Sequence, residues 1–192
     1  MAGLTKISTK KRIRGESGFT LIELLIVVAI IAIIAAIAVP NIISTNIRAK
    51  VKGVRADMGS IAIALEDYRI DHGYYPPQYE GNYDKIAKVG TSLTKETARG
   101  LGKLIYPTTS DNSPVYLTSI PEDPFNPNSD PGGYYSYFTT GDPTAPTAWA
   151  LVSYGPDRVR SINSYDDAND PSKIYDQNAG IISSGDIVLT GP

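Results

Sequence analysis

An α+β fold, one long N-terminal helix laid on a small antiparallel sheet, is what this sequence predicts, and three observations carry it. Leu24–Val39 contains no polar residue, and an apolar stripe at helical spacing continues from there to Tyr68. Composition then changes: of 14 prolines only Pro40 precedes Pro76, and 12 of the 13 tyrosines lie from Tyr74 onward. After that change, short runs of aromatic and β-branched residues alternate with Gly, Pro and Asp turns.

The helix begins in an apolar segment. Phe19–Val39 holds only Thr20 and Glu23 as clearly polar residues. At 1.5 Å per residue such a helix is roughly 30 Å long, about one hydrocarbon thickness. Lys6, Lys10, Lys11, Arg12 and Arg14 precede it, against the single acid Glu16. That charge bias holds the N-terminus in the cytoplasm and sends the remainder across the membrane as a single-pass protein. A secretory signal peptide cut near Ala36-Ile37-Ala38 is the competing reading. Glu23 argues against it, because a carboxylate within an apolar span costs roughly 2.5–3.5 kcal/mol and marks function.

Past Pro40 the apolar positions are Ile43, Ile47, Val51, Val54, Met58, Ile61, Leu65 and Tyr68, one stripe of an α-helix. Arg48, Lys50, Lys52, Arg55, Asp57, Glu66 and Asp67 form its solvated face. Gly73 ends the pattern and Pro76-Pro77 prevents its resumption. One helix is therefore predicted over 19–72, with 19–40 as its membrane part and 41–72 as its amphipathic part. Pro40 removes one backbone hydrogen bond and either kinks the helix or marks a point of unwinding.

Residues 73–192 predict a loop-rich segment and a small sheet. A short helix is expected across Lys95 to Tyr106. Strands are expected at Tyr134–Thr139, Ala148–Tyr154 and Asp186–Leu189, separated by turns at Pro131-Gly132-Gly133 and Gly141-Asp142-Pro143.

Composition excludes several functions. The chain has 192 residues, 18 Lys+Arg against 20 Asp+Glu, one histidine and no cysteine. The near balance of charge gives no support to nucleic-acid binding. Disulfides, thiolate metal sites and multi-histidine centres are ruled out. No G-x-S-x-G elbow or phosphate-cradling glycine loop is present. His72, beside Asp71 and Gly73, reads as a helix-end or surface residue. A non-catalytic protein is expected.

Gly18-Phe19-Thr20-Leu21-Ile22-Glu23, after a basic leader and before an aliphatic run, resembles the processing site of type IV pilins and pseudopilins. The resemblance implies that residues 1–18 are a leader removed by a prepilin peptidase. Cleavage would fall between Gly18 and Phe19, with methylation of the new terminal amine. It also implies that Glu23 meets the terminal amine of a neighbouring copy during filament assembly. An incidental polar residue reaching for the interface is the bland alternative.

Four further stretches look like the major (G-type) pseudopilins of type II secretion. They are Gly73-Tyr74-Tyr75-Pro76 at the helix end, Ile120-Pro121-Glu122-Asp123-Pro124-Phe125, and Ser153-Tyr154-Gly155-Pro156-Asp157 with Ser184-Gly185-Asp186-Ile187. The partners implied are further copies in a helical filament, minor pseudopilins, the prepilin peptidase, an inner-membrane assembly platform, and lipid before assembly. The implied location is the inner membrane, with the C-terminal part periplasmic. A true type IV pilus subunit shares the N-terminal half and stays open, as does a bitopic, signal-anchored receptor or enzyme.

The same resemblance implies a calcium ion held by Asp157, the backbone carbonyl of Tyr154, and Asp186. Hard oxygen ligands suit calcium. Arg158 to Gly185 make a longer loop than that family usually carries, and Asp166, Asp167, Asp170 or Asp176 could substitute. A solvated acidic loop with Asx-turns is the other reading.

Overall fold

The computed structural model describes residues 18–78, 93–94, 97–106, 114–126 and 133–192. The chain divides into two units, Met1–Ile42 and Ile43–Pro192. The expected short helix is smaller than predicted: a five-residue 3-10 turn occupies Gly100–Leu104. Lys95, Pro131 and Gly132 lie outside the described residues, as does the leader up to residue 17.

Helix α1 spans Leu21–His72, with Pro40 inside an unbroken helical stretch. The predicted start was two residues early because Phe19 and Thr20 precede the helix as its cap. At the other end Gly73 adopts φ +80° and its N–H donates to the Arg69 carbonyl at 2.7 Å, a glycine-dependent helix stop. Within the first unit the helix exposes its side chains, Leu21, Leu25 and Ile37 among them.

In the second unit α1 buries Val51, Val54, Met58, Ile61, Ala64, Leu65 and Tyr68, the predicted stripe with Ala64 added. Ile47 packs partly, whereas Ile43 stays 52% exposed, so burial of the stripe starts later than expected. These side chains face a three-stranded antiparallel sheet of order β1-β2-β3, with β1 Ser136–Asp142, β2 Ala145–Ser153 and β3 Ile187–Gly191. A tight turn joins β1 to β2, where the Asp142 carboxylate accepts the Thr144 N–H at 2.7 Å.

Alternation along the strands sorts residues to two faces. Tyr137, Trp149, Leu151 and Ile187 join the α1 stripe in the main core. Phe138, Ala150 and Val152 point the other way and meet Ile162 and Ala168 in a second core. Those last two residues belong to the long segment Arg158–Gly185. It carries short 3-10 turns at Asp166–Asn169 and Pro171–Lys173, and a parallel bridge between Ile174 and Asp186. The segment is thus an outer layer over the sheet, and the unit has three layers: helix, sheet and ordered loop.

Candidate functional site

Two places gather the residues that the sequence singles out. The first is the start of α1. Gly18, Phe19 and Thr20 are non-helical and exposed, with Phe19 at 74%. Thr20 then caps the helix. Its N–H and hydroxyl donate to Glu23 Oε2 at 2.9 and 2.7 Å, and the Glu23 N–H donates back to Thr20 Oγ1 at 3.3 Å. This reciprocal pair is a capping box. Thr20-x-x-Glu23 is legible as such in the sequence, and the reading above missed it by assigning Glu23 only an intermolecular role.

The geometry supplies an accessible peptide bond between Gly18 and Phe19, immediately before a rigid element. It also sets a carboxylate one helical turn beyond that bond. A helix N-terminus favours a carboxylate on electrostatic grounds as well.

The second place lies where the chain leaves β2 and re-enters at β3. Gly155, at φ +70°, passes so close to Gly185 that a Cβ there would stand 2.3 Å from the Gly185 carbonyl oxygen. Only glycine permits this crossing. Around it sit the expected residues. Asp157 accepts the Val159 N–H at 3.1 Å through Oδ1 and the Gly185 N–H at 3.2 Å through Oδ2. Asp186 is fully buried, and its Oδ2 accepts from the Ser161 and Ile162 N–H groups at 2.9 and 2.8 Å. Its other oxygen, Oδ1, is buried without a hydrogen-bond partner. Burial pushes the Asp186 carboxyl up to about 6, opposed by the Ile162 and Ser161 hydrogen bonds and assisted by the negative charge of Asp157.

A buried carboxylate oxygen lacking a donor is costly, and a hard cation is one way of meeting that cost. Asp186 Oδ1 is the atom here whose chemistry suits such a cation, while both Asp157 oxygens already accept backbone N–H groups. Among the described residues no group of three or more acids or histidines gathers, so most of the shell would be backbone oxygen.

Three of the four substitute aspartates are occupied otherwise, and the fourth, Asp166, is exposed. Asp167 pairs with Lys173 and accepts the Asn163 N–H at 3.0 Å. Asp170 accepts from the Ser172 N–H at 2.9 Å, and Asp176 from the Asn178 N–H at 2.8 Å. For that stretch the Asx-turn reading describes what is seen.

Asp123, which reads in the sequence as a turn residue, does more. Buried to 4% exposure, it accepts from the Phe125 N–H, the Ser153 hydroxyl and the Tyr154 N–H. It clamps the proline-bracketed segment to the end of β2, directly beside the Gly155 crossing. His72 stacks on Tyr68 with ring centroids 3.9 Å apart, and its Nδ1 lies 2.9 Å from the Tyr68 carbonyl.

An exposed Gly18–Phe19 step before a capped apolar helix, in a chain that also forms a small cysteine-free α+β unit, defines the class of pilin-like proteins. Residues 13–39 match the family described as the prokaryotic N-terminal methylation motif. The chain is 33% identical over 129 residues to the type II secretion system core protein G of Pseudomonas aeruginosa, covering 67% of this chain and 77% of that protein. It is 26% identical over 132 residues to the protein of the same name from Vibrio cholerae, covering 69% and 77%. With the Klebsiella pneumoniae protein of that name it shares 27% over 148 residues, covering 77% and 90%. The chain belongs to the type II secretion system core protein G family, the major pseudopilins. No solved structure matches it.

Proposed function

We propose that this chain is the structural, non-catalytic subunit of a pilus-like filament that serves type II protein secretion. Membership in the core protein G family supports the assignment to secretion rather than to a surface pilus. The observation that carries the mechanism is the Gly18–Phe19 bond, exposed just ahead of the capped turn that contains Glu23.

The leader anchors the precursor on the cytoplasmic side, and α1 is long and apolar enough to cross a membrane. A prepilin peptidase cuts between Gly18 and Phe19 and methylates the amine. The subunit then rests in the inner membrane as a single-pass protein with its second unit in the periplasm. Among the described residues the Glu23 carboxylate has Thr20 alone as its partner, an expensive position in lipid. The terminal amine of an adjacent copy neutralises it, so that pairing selects copies in correct axial register. Minor pseudopilins and an inner-membrane assembly platform are the other partners of this reading.

Calcium, held by Asp157, Asp186 and the Tyr154 carbonyl, would neutralise the buried Asp186 oxygen and fasten the return to β3. Mass spectrometry of the mature N-terminus tests the whole scheme. The expected species begins at N-methylated Phe19. A terminus at Asn41, or an uncut leader, excludes it. Loss of a secreted enzyme on deletion, with surface pili intact, separates secretion from a pilus role.

A further inference from the structure

One face of α1 in the second unit is largely exposed and packs on none of the described residues. Arg48, Lys52, Arg55, Gly59, Ile63, Asp67 and Ile70 follow one another at steps of three or four residues, which places them on a single side of the helix. This side is opposite in character at its two ends. The first three are exposed cations with no ion-pair partner among the described residues. The far end is apolar and acidic: Ile63 and Ile70 are 67% and 79% exposed, and Asp67 is exposed with no ion-pair partner among the described residues.

Beside that far end lies a groove of about 360 Å³ lined by Asp67, Ile70, Asp71, Pro114, Val115 and Tyr116. Its floor is fixed, because the Tyr116 hydroxyl donates to Asp71 Oδ2 at 2.7 Å and the Tyr116 ring packs edge-on against Tyr68. Val115 adds apolar surface at 61% exposure.

Gly59, between the two ends, is a second and independent sign. A Cβ built there meets nothing within 4 Å, so the subunit has no internal need for glycine. Glycine inside a helix costs about 1 kcal/mol relative to alanine. An unexplained glycine on an otherwise unpartnered face fits close approach by another molecule.

We infer that this face is a contact between copies: the basic end of one α1, Arg48, Lys52 and Arg55, docks in the Asp67–Tyr116 groove of another copy. The inference rests on the filament reading above and names a surface for it. Two carboxylates, one isoleucine, a valine and an aromatic ring line a site that a long cationic side chain fits. Its charge pairs with Asp67 and Asp71, its methylenes lie on Ile70 and Val115, and Tyr116 offers a ring face. A second copy supplies such side chains at the opposite end of the same stripe. Lys52 and Asp67 are 15 residues apart, about 22 Å along the helix. Lys52 therefore cannot reach the groove of its own chain.

The chain has no cysteine, which makes cross-linking of the full-length protein in cells a clean test. Pairs Lys52→Cys with Asp67→Cys, and Arg48→Cys with Asp67→Cys, cannot bridge within one chain, because a disulfide spans at most about 7 Å between Cα atoms. Mild oxidation is expected to yield a ladder of covalent dimers and multimers. Lys50→Cys with Asp67→Cys, whose lysine leaves the helix on another side, is expected to yield none. Separately, Arg55→Glu and Asp67→Lys should each reduce sheared filament about fivefold, and their combination should recover most of it. If the unmutated protein is processed and forms filaments but the two test pairs give no ladder, or the Lys50 pair cross-links as well, this surface is wrong and the filament stands. If the unmutated protein forms no filament at all, both readings fall.

Discussion

The carboxylate of Asp123 accepts the backbone N–H of Tyr154 at 3.0 Å across 31 residues of chain. That bond joins the proline-bracketed turn to the last residues of the central strand, and the Ser153 hydroxyl at 2.8 Å reinforces it. All three donors to Asp123 are buried. Removing the acceptor strands them without water to replace it.

Asp123→Ala should therefore destabilise the Ile43–Pro192 unit by about 3 kcal/mol. Thermal unfolding of that fragment, followed by circular dichroism, is the check, with a fall of about 10 °C expected. A fall of only a degree or two would mean that the clamp is dispensable.

Glu23 has two separable jobs, closing the capping box and presenting a charge. Glu23→Gln keeps the acceptor for Thr20 and discards the charge. If pairing with a neighbour's amine matters, Glu23→Gln and Glu23→Ala both insert in the membrane, are both cleaved, and both assemble poorly. Comparing membrane-fraction subunit with sheared filament distinguishes the roles. Normal filaments from Glu23→Gln would leave only the cap.

Calcium is expected to raise the melting temperature of the 43–192 fragment. Binding to the native state alone adds about 2.7 kcal/mol at one hundred times Kd. Asp157→Ala or Asp186→Ala should abolish the increment. A chelator that leaves the wild-type melting curve unmoved would show that the Asp186 oxygen is met in another way.

The outer core gives an independent measurement. Ile162 is fully buried against the far side of the sheet, and Ile162→Ala should cost about 2–4 kcal/mol. Limited proteolysis should then cut within 158–185 well before it cuts the strands. Equal resistance of mutant and wild type would mean that the loop is held by its hydrogen bonds alone.

Much of this architecture can be read from period alone. Helix α1 was legible because Val51, Val54, Met58, Ile61, Leu65 and Tyr68 repeat at helical spacing, and Gly73 and Pro76-Pro77 stop it. The three strands were legible to within a few residues from their aromatic and β-branched runs. The second core was not. Ile162 and Ala168 sit singly among Asp, Asn and Ser, so no local period announces them; the bridge of Ile174 to Asp186 and the Ile162 N–H bond to the Asp186 carboxylate draw them onto the sheet. Asp123 was equally hidden, since Pro-flanked aspartates are ordinary turn residues until a distant strand end supplies the donors. At the candidate site the sequence proposed Asp157 and Asp186 by resemblance. What it could not supply was the asymmetry between the two oxygens of Asp186, which depends on the path of the chain at Ser161 and Ile162.

The place of β3 in the sheet bears on the order of events during synthesis. Ile187 completes the main core, and β3 pairs with β2 along Trp149–Ser153, so the unit cannot close until those last residues exist. The apolar start of α1 leaves the ribosome some 150 residues earlier, at 5–20 residues per second roughly 8 to 30 s before. The membrane segment is therefore outside the ribosome while the sheet is still incomplete. On the topology proposed above, no completed sheet would have to be unfolded for the second unit to cross.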